Sequence, residues 1–154
     1  MNFLSIDFST DIGSLFIKVK NKTFIKLLQS DKSANDLLMK HILDFFLENN
    51  IKFKDLSHIF VNQGPGNFSG LRGSLSTAKG ISLSQNLDLF GYNTFMWSCA
   101  KFFDEQKIIF SVIEFRKKFF IKKFENLVSN SPKVEEINME DLINNFNDKF
   151  MVIP

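Results

Sequence analysis

From Asn2 to Phe8 polar and apolar positions alternate, the period of a strand with one buried face. A polar turn at residues 9–13 leads to a second strand over Ser14 to Lys20. Asn21-Lys22 reads as a short reversal into a third, Thr23 to Leu28, so three strands in meander open the chain. The period then lengthens. Leu37, Leu38, His41, Ile42, Phe45 and Phe46 recur at three- and four-residue steps, which predicts an amphipathic helix over Ser33 to Asn49. Asp31 or Ser33 can cap its start, and Asn49-Asn50 suits its end.

Residues 59–80 carry the most information. Ile59-Phe60-Val61, β-branched and aromatic, predicts a strand over His58 to Val61. Gly64-Pro65-Gly66 follows as a tight turn, in which proline fixes φ and glycine permits positive φ. A helix is then expected from Ser69, as its cap, to Gln85, with another strand at Leu87 to Tyr92. A strand–helix–strand crossover of this length favours parallel pairing, so the order through Tyr92 is βββαβαβ. Beyond it the pattern predicts a helix over Thr94 to Asp104 and a hairpin of Lys107 to Ile113 with Lys117 to Phe124. Ser129 to Pro132 reads as loop, Met139 to Phe146 as a short helix and Lys149 to Ile153 as a last strand. A shift in composition near Tyr92 divides the chain into a lobe at 1–92 and a smaller one at 93–154.

Composition narrows the function. The 19 basic and 17 acidic residues nearly cancel, and all the basic ones except Arg72 and Arg116 are lysines. A nucleic-acid reader would concentrate its charge and favour the bidentate arginine fork. The 20 phenylalanines read as core filler. The single Cys99 excludes an intrachain disulfide and suggests a reducing compartment. The first residues lack a basic leader, and no apolar run approaches the ~20 residues of a membrane span, so a cytoplasmic protein is expected.

The Gly-rich loop invites a phosphate-binding reading, since helix N-termini hold anions. It lacks the Gly-Lys-Ser/Thr of a P-loop, and Ser69 stands where the dinucleotide fingerprint needs its third glycine. Pro65 removes one amide as well, so a structural turn is the better account. The helix after it places Gly70, Gly73, Ser74, Thr77, Gly80 and Ser84 at three- and four-residue steps, a face with almost no bulk. Leu71, Leu75, Ala78 and Ile81 on another face can pack on the sheet. Glycine inside a helix costs about 0.5–1 kcal/mol relative to alanine, so a close neighbour must compensate. That neighbour is either the chain's own first helix or a helix of another protein.

GPGNFSGLRGSLSTAKGIS, together with FLSIDFSTDIGSLFI, resembles the TsaB (YeaZ) family of bacterial threonylcarbamoyladenosine biosynthesis proteins. The family's Gly-Pro-Gly-Ser-Phe-Thr-Gly-Leu-Arg motif is matched apart from Asn67 and Ser69, and Ala78-Lys79-Gly80 follows. Ile6-Asp7-x-Ser9-Thr10 is similar to the first hairpin, and Ile113-Glu114-x-Arg116 to a strand of the second lobe, with Glu replacing Asp. The resemblance implies an actin-like/ribonuclease H-like α/β fold whose repeating lobe is βββαβαβ, with a shortened second lobe.

The resemblance further implies a non-catalytic scaffold subunit. Family members pair with a TsaD-like paralogue that threonylcarbamoylates adenosine 37 of tRNA, and a TsaE-like ATPase joins them. Pairing in the family is helical, which implies partner-binding roles here for Ser69, Gly70, Arg72, Gly73, Ser74, Thr77 and Gly80, with Leu38 and Ile42 on the first helix. No cofactor and no membrane are implied, and tRNA is met indirectly. The paralogue's His-x-x-x-His metal motif falls near Thr94 and Ser98, which are poor ligands. His41 reads as packed and His58 as preceding its strand, so no metal site is expected. Asp7 is a remnant of an actin-like phosphate site or, more simply, part of a hydrogen-bonded hairpin turn with Ser9, Thr10 and Asp11. Arg116, Lys117, Lys118, Lys122 and Lys123 form the most basic run, either a solvated face or a surface that grazes tRNA. The competing readings are a small ATP-binding enzyme and a degenerate homologue that self-associates as a homodimer.

Overall fold

The computed structural model describes residues 1–29, 37–115, 117–125, 133–146, 149 and 151–152. They form two compact units, Met1–Asn93 and Thr94–Pro154. No helix of the described residues is long and apolar enough to cross a membrane.

In the first unit β1 (Phe3–Asp7), β2 (Ile12–Val19) and β3 (Lys22–Gln29) make the expected meander. The chain reverses at Lys20 and Asn21, one residue earlier than the sequence suggests, with Lys20 at φ 55°. α1 (Leu38–Glu48) follows, then a short 3-10 turn, β4 (His58–Asn62), α2 (Phe68–Gln85) and β5 (Asp88–Tyr92). The sheet order is β3-β2-β1-β4-β5. β1 pairs antiparallel with β2 and parallel with β4, and β4 runs parallel to β5, as a right-length crossover requires. The caps expected at Asp31 or Ser33 lie outside the described residues; α1 ends with Asn49 as C-cap and Asn50 at φ 54°.

Strand alternation sends Leu4, Ile6, Leu15, Ile17, Ile59 and Val61 to one face, where Leu38, Ile42, Phe45 and Phe46 of α1 and Ala78 and Ile81 of α2 cover them. Full burial of each large aliphatic chain contributes about 1.5–3 kcal/mol, so this cluster holds the unit together. The opposite face is aromatic. Phe3 meets Phe60 edge-on at 5.1 Å, Phe60 stacks on Phe90 at 5.5 Å, and His58 stacks on Phe90 at 5.6 Å. His58 thus belongs to β4 itself and does not precede it.

In the second unit α3 (Thr94–Cys99) gives way after one and a half turns to a 3-10 turn, Ala100–Phe102, shorter than the expected helix to Asp104. β6 (Ile108–Phe115) and β7 (Lys118–Glu125) form the hairpin. β8 (Glu135–Ile137), which the pattern does not predict, pairs with β7, and β9 (Met151–Val152) pairs parallel with β6. The order is β8-β7-β6-β9. Phe95 and Cys99 pack with Ile109, Ile113 and Phe124 on one face; Leu142 of α4 (Met139–Phe146) packs with Val112 and Ile121 on the other. The expected loop at Ser129 to Pro132 lies outside the described residues.

Candidate functional site

The Gly-rich loop is built around the end of β1. A Cβ on Gly66 would overlap the Ser9 carbonyl, and one on Gly70 would overlap the Phe8 carbonyl oxygen. The same Ser9 carbonyl accepts a 2.7 Å hydrogen bond from the Asn67 amide. The close neighbour that justifies Gly70 is therefore a strand end of the same chain, and neither of the helices proposed for it. The cap of α2 is also corrected. Asn67, one position before the helix, accepts from the Gly70 amide at 3.2 Å, while Ser69 lies inside the first turn.

A polar knot gathers where β1, β4 and β5 end. Asp7 accepts from the Ser9 amide at 2.9 Å, from Asn62 Nδ2 at 2.9 Å and from the Tyr92 hydroxyl at 3.3 Å. Asn62 also donates to Ser9 Oγ at 3.1 Å and accepts from the Gly64 amide at 2.8 Å. Asn62 is buried, so each of these bonds replaces water it has lost. It ties the strand end, the hairpin and the loop at once. The sequence reading missed it because a lone Asn at a strand end carries no pattern; its place just before Gln63-Gly64-Pro65 is the only signal. Burial, then the Asp7 charge, raises the Tyr92 hydroxyl above its ordinary pKa. Tyr92 therefore serves Asp7 as a neutral donor. Thr10 Oγ1 donates to the Ile12 carbonyl at 2.9 Å within the hairpin turn. The arrangement clamps the Gly loop onto β1, and Asp7's two oxygens already serve protein donors.

The two helices divide the expected partner-binding residues between inside and outside. Leu38 is 1% exposed and Ile42 is 0% exposed, both within the unit's own core, and this corrects their placement on a partner surface. Gly70 and Ser74 are likewise buried, and Ser74 Oγ finds no hydrogen-bond partner. Period alone could not orient α1, because apolar residues surround it. Its outward apolar row is Met39, Leu43 and Leu47, the last 83% exposed. On α2, Ser69, Arg72 and Gly80 are exposed and Gly73 and Thr77 half-buried, and Leu83 near its end is 85% exposed. Arg72 lies with its guanidinium 5.3 Å from the Phe68 ring. α1 and α2 touch one another.

In the second unit, Ser98 donates to the Phe95 carbonyl at 2.9 Å and shares a 2.8 Å hydrogen bond with Ser111. Cys99 is buried beside them, and desolvation raises its thiol pKa against the smaller opposing effect of Ser98 and Ser111. His58 Nδ1 lies 2.6 Å from Ser57 Oγ and Nε2 3.8 Å from Asp88. Among the described residues no three His, Cys, Asp or Glu side chains stand together as a metal group. The basic run is dispersed: Lys118 pairs with Glu136 at 2.7 Å, Lys123 pairs with Glu125, Lys122 lies over the Phe124 ring, and Arg116 is outside the described residues.

The family described as "TsaD: tRNA N6-adenosine threonylcarbamoyltransferase" matches residues 29–112, more than half of the chain. A Buchnera aphidicola (subsp. Schizaphis graminum) tRNA threonylcarbamoyladenosine biosynthesis protein TsaB is 33% identical over 92 residues, covering 59% of this chain and 43% of that protein. The chain belongs to this family, among its TsaB (YeaZ) members. A Pseudomonas aeruginosa structure described as similar to the peptidase YeaZ superposes with a TM-score of 0.73 at 14% identity, covering 88% of this chain and 66% of that one. The ethanolamine utilization protein EutJ of Carboxydothermus hydrogenoformans superposes at 0.53 and 9% identity, over 90% of this chain and 52% of its own. The fold is therefore the YeaZ fold, of the actin-like/ribonuclease H-like kind. The chain spans about half the length of the curated TsaB relatives it matches.

Proposed function

We propose that this chain acts in forming threonylcarbamoyladenosine in tRNA, as a non-catalytic scaffold that pairs with a TsaD-like enzyme. The pathway rests on the curated relatives, which are named TsaB. The scaffold role rests on one observation above all. The polar knot at the Gly loop is spent on the chain's own structure: Asp7 serves three protein donors, and Asn62 bridges the loop to β1. An ATP-binding enzyme would need that carboxylate turned to metal or phosphate, so the knot favours a scaffold over a small actin-like ATPase.

The pairing surface in this reading is the outward face of α1 and α2. Met39, Leu43 and Leu47 present an apolar row on α1, and on α2 Ser69, Gly73, Thr77 and Gly80 offer low relief, which lets a partner helix approach closely, with Arg72 as a charged contact. Apolar rows of this kind mark interfaces more often than free surface. A TsaE-like ATPase joins the pair, and the work is cytoplasmic. Reconstitution tests the reading. A TsaD-like enzyme from the same source should modify tRNA with threonylcarbamate markedly faster when this chain is added. An unchanged rate with TsaE and ATP present would remove the assigned role.

A further inference from the structure

The second unit carries a basic groove. A depression of about 630 Å³ is lined by Lys107, Lys123 and Lys149, opposed by Glu105, over an apolar floor of Ile108 and Phe110. A smaller depression of about 180 Å³ adjoins it, sharing Phe110 and Lys123 and adding Lys133, Glu135 and Phe146. Together they make one continuous track. Glu105 and Glu135 line the same depressions and offset part of the charge. Lys123 pairs with Glu125, but Lys107 and Lys149 have no carboxylate partner among the described residues. Lys149 is instead held between rings, 5.4 Å from Phe110 and 4.7 Å from Phe146, which are edge-to-face at 5.0 Å. Cation–π seating fixes an ammonium without neutralising it, so its donors remain directed at an incoming anion. Two other lysines are matched, Lys26 to Glu48 and Lys118 to Glu136, both at 2.7 Å.

We infer that this track holds the phosphate backbone of an RNA strand, with ribose and base over the Ile108–Phe110 floor. Spaced lysines beside an aromatic-walled furrow suit a polyanion that repeats along its length better than a single small anion. The inference rests on the proposed function for the identity of the RNA as tRNA, but its test needs no TsaD-like partner. It also moves the basic surface from the β6–β7 run as a whole to the flank where β6, β7 and Lys149 meet.

The test is fluorescence anisotropy of the full chain with a labelled RNA stem-loop across a KCl series. Lys107→Gln combined with Lys149→Gln should lower the log-log salt slope by about 0.7–0.9 per lysine and weaken binding about five- to eightfold per lysine at 0.1 M salt. Lys20→Gln with Lys22→Gln, on the first unit's hairpin, should change little. Equal weakening by that control pair, no weakening by the groove pair, or no RNA binding by the parent chain would overturn the inference. So would displacement by inorganic tripolyphosphate at a concentration equal to that of RNA phosphate, which would mark a small-anion site. If the groove variant still pairs with a TsaD-like enzyme, the two proposals are separable: groove failure leaves the scaffold role standing, and scaffold failure leaves RNA binding measurable.

Discussion

Two glycines on one helix, ten residues apart, answer to different causes. Gly70 is required by the chain itself, because a methyl group there would strike the Phe8 carbonyl, and backbone cannot yield as a side-chain tip can. At Gly80 a Cβ meets nothing within 4 Å. Gly80→Ala should therefore stabilise the isolated chain by about 0.5–1 kcal/mol through helix propensity alone, while Gly70→Ala should destabilise it by several times as much. Urea melts of both variants check this; equal responses would refute the division. Tyr92 offers a second test at this scale. Its pKa is raised in the folded chain by burial and by Asp7, so the unfolded chain ionises first, near the ordinary value of about 10. The stability it contributes is complete below that pH and is lost as pH rises beyond it. Tyr92→Phe should cost about 1 kcal/mol at neutral pH, and its deficit should shrink above pH ~10. Cys99 weakens the fold in the same direction from lower pH, which the paired comparison cancels. A constant deficit across the alkaline range would contradict the account.

At the scale of elements, the chain announces what it forms more clearly than which way each element faces. The βββαβαβ order was legible because strand and helix periods differ and the Gly-Pro-Gly turn separates β4 from α2. β8 was not, since Glu-Glu-Ile is three residues long and mostly charged, with no period to detect. The sequence points to Ser69 as the cap of α2, but the contact of Asn67 with the Ser9 carbonyl starts the helix earlier and makes Asn67 the cap. α1 is the clearest case. Its helical period was plain, but with Leu38, Met39, Ile42, Leu43, Phe45, Phe46 and Leu47 on it, two faces are apolar. The sheet takes Leu38, Ile42, Phe45 and Phe46, which leaves Met39, Leu43 and Leu47 outside. Exposed positions contribute little to the isolated fold. Leu43→Asp with Leu47→Asp should thus leave the melting temperature within a few degrees, yet abolish pairing; a collapsed fold would show that the row is core after all.

In the first unit Asp7 and Asn62 are spent on the chain's own geometry, and in the second Lys149 sits against two aromatic rings with no carboxylate partner among the described residues. That contrast suits a protein whose first unit docks a partner through helices and whose second unit meets a polyanion. The site was legible in the sequence only as a motif: Gly64 to Gly73 identified the family, while the knot of Asp7, Asn62 and Tyr92 depends on strand ends brought together by parallel pairing. The basic groove was less legible still, because Lys107, Lys123 and Lys149 are far apart along the chain. The central claim is the pairing, and light-scattering mass on a column, for this chain alone and mixed with the same organism's TsaD-like enzyme, measures it directly. The account predicts a one-to-one species at the summed mass that the Leu43→Asp, Leu47→Asp variant fails to form. Two separate peaks, or a homodimer unmoved by the enzyme, would contradict it.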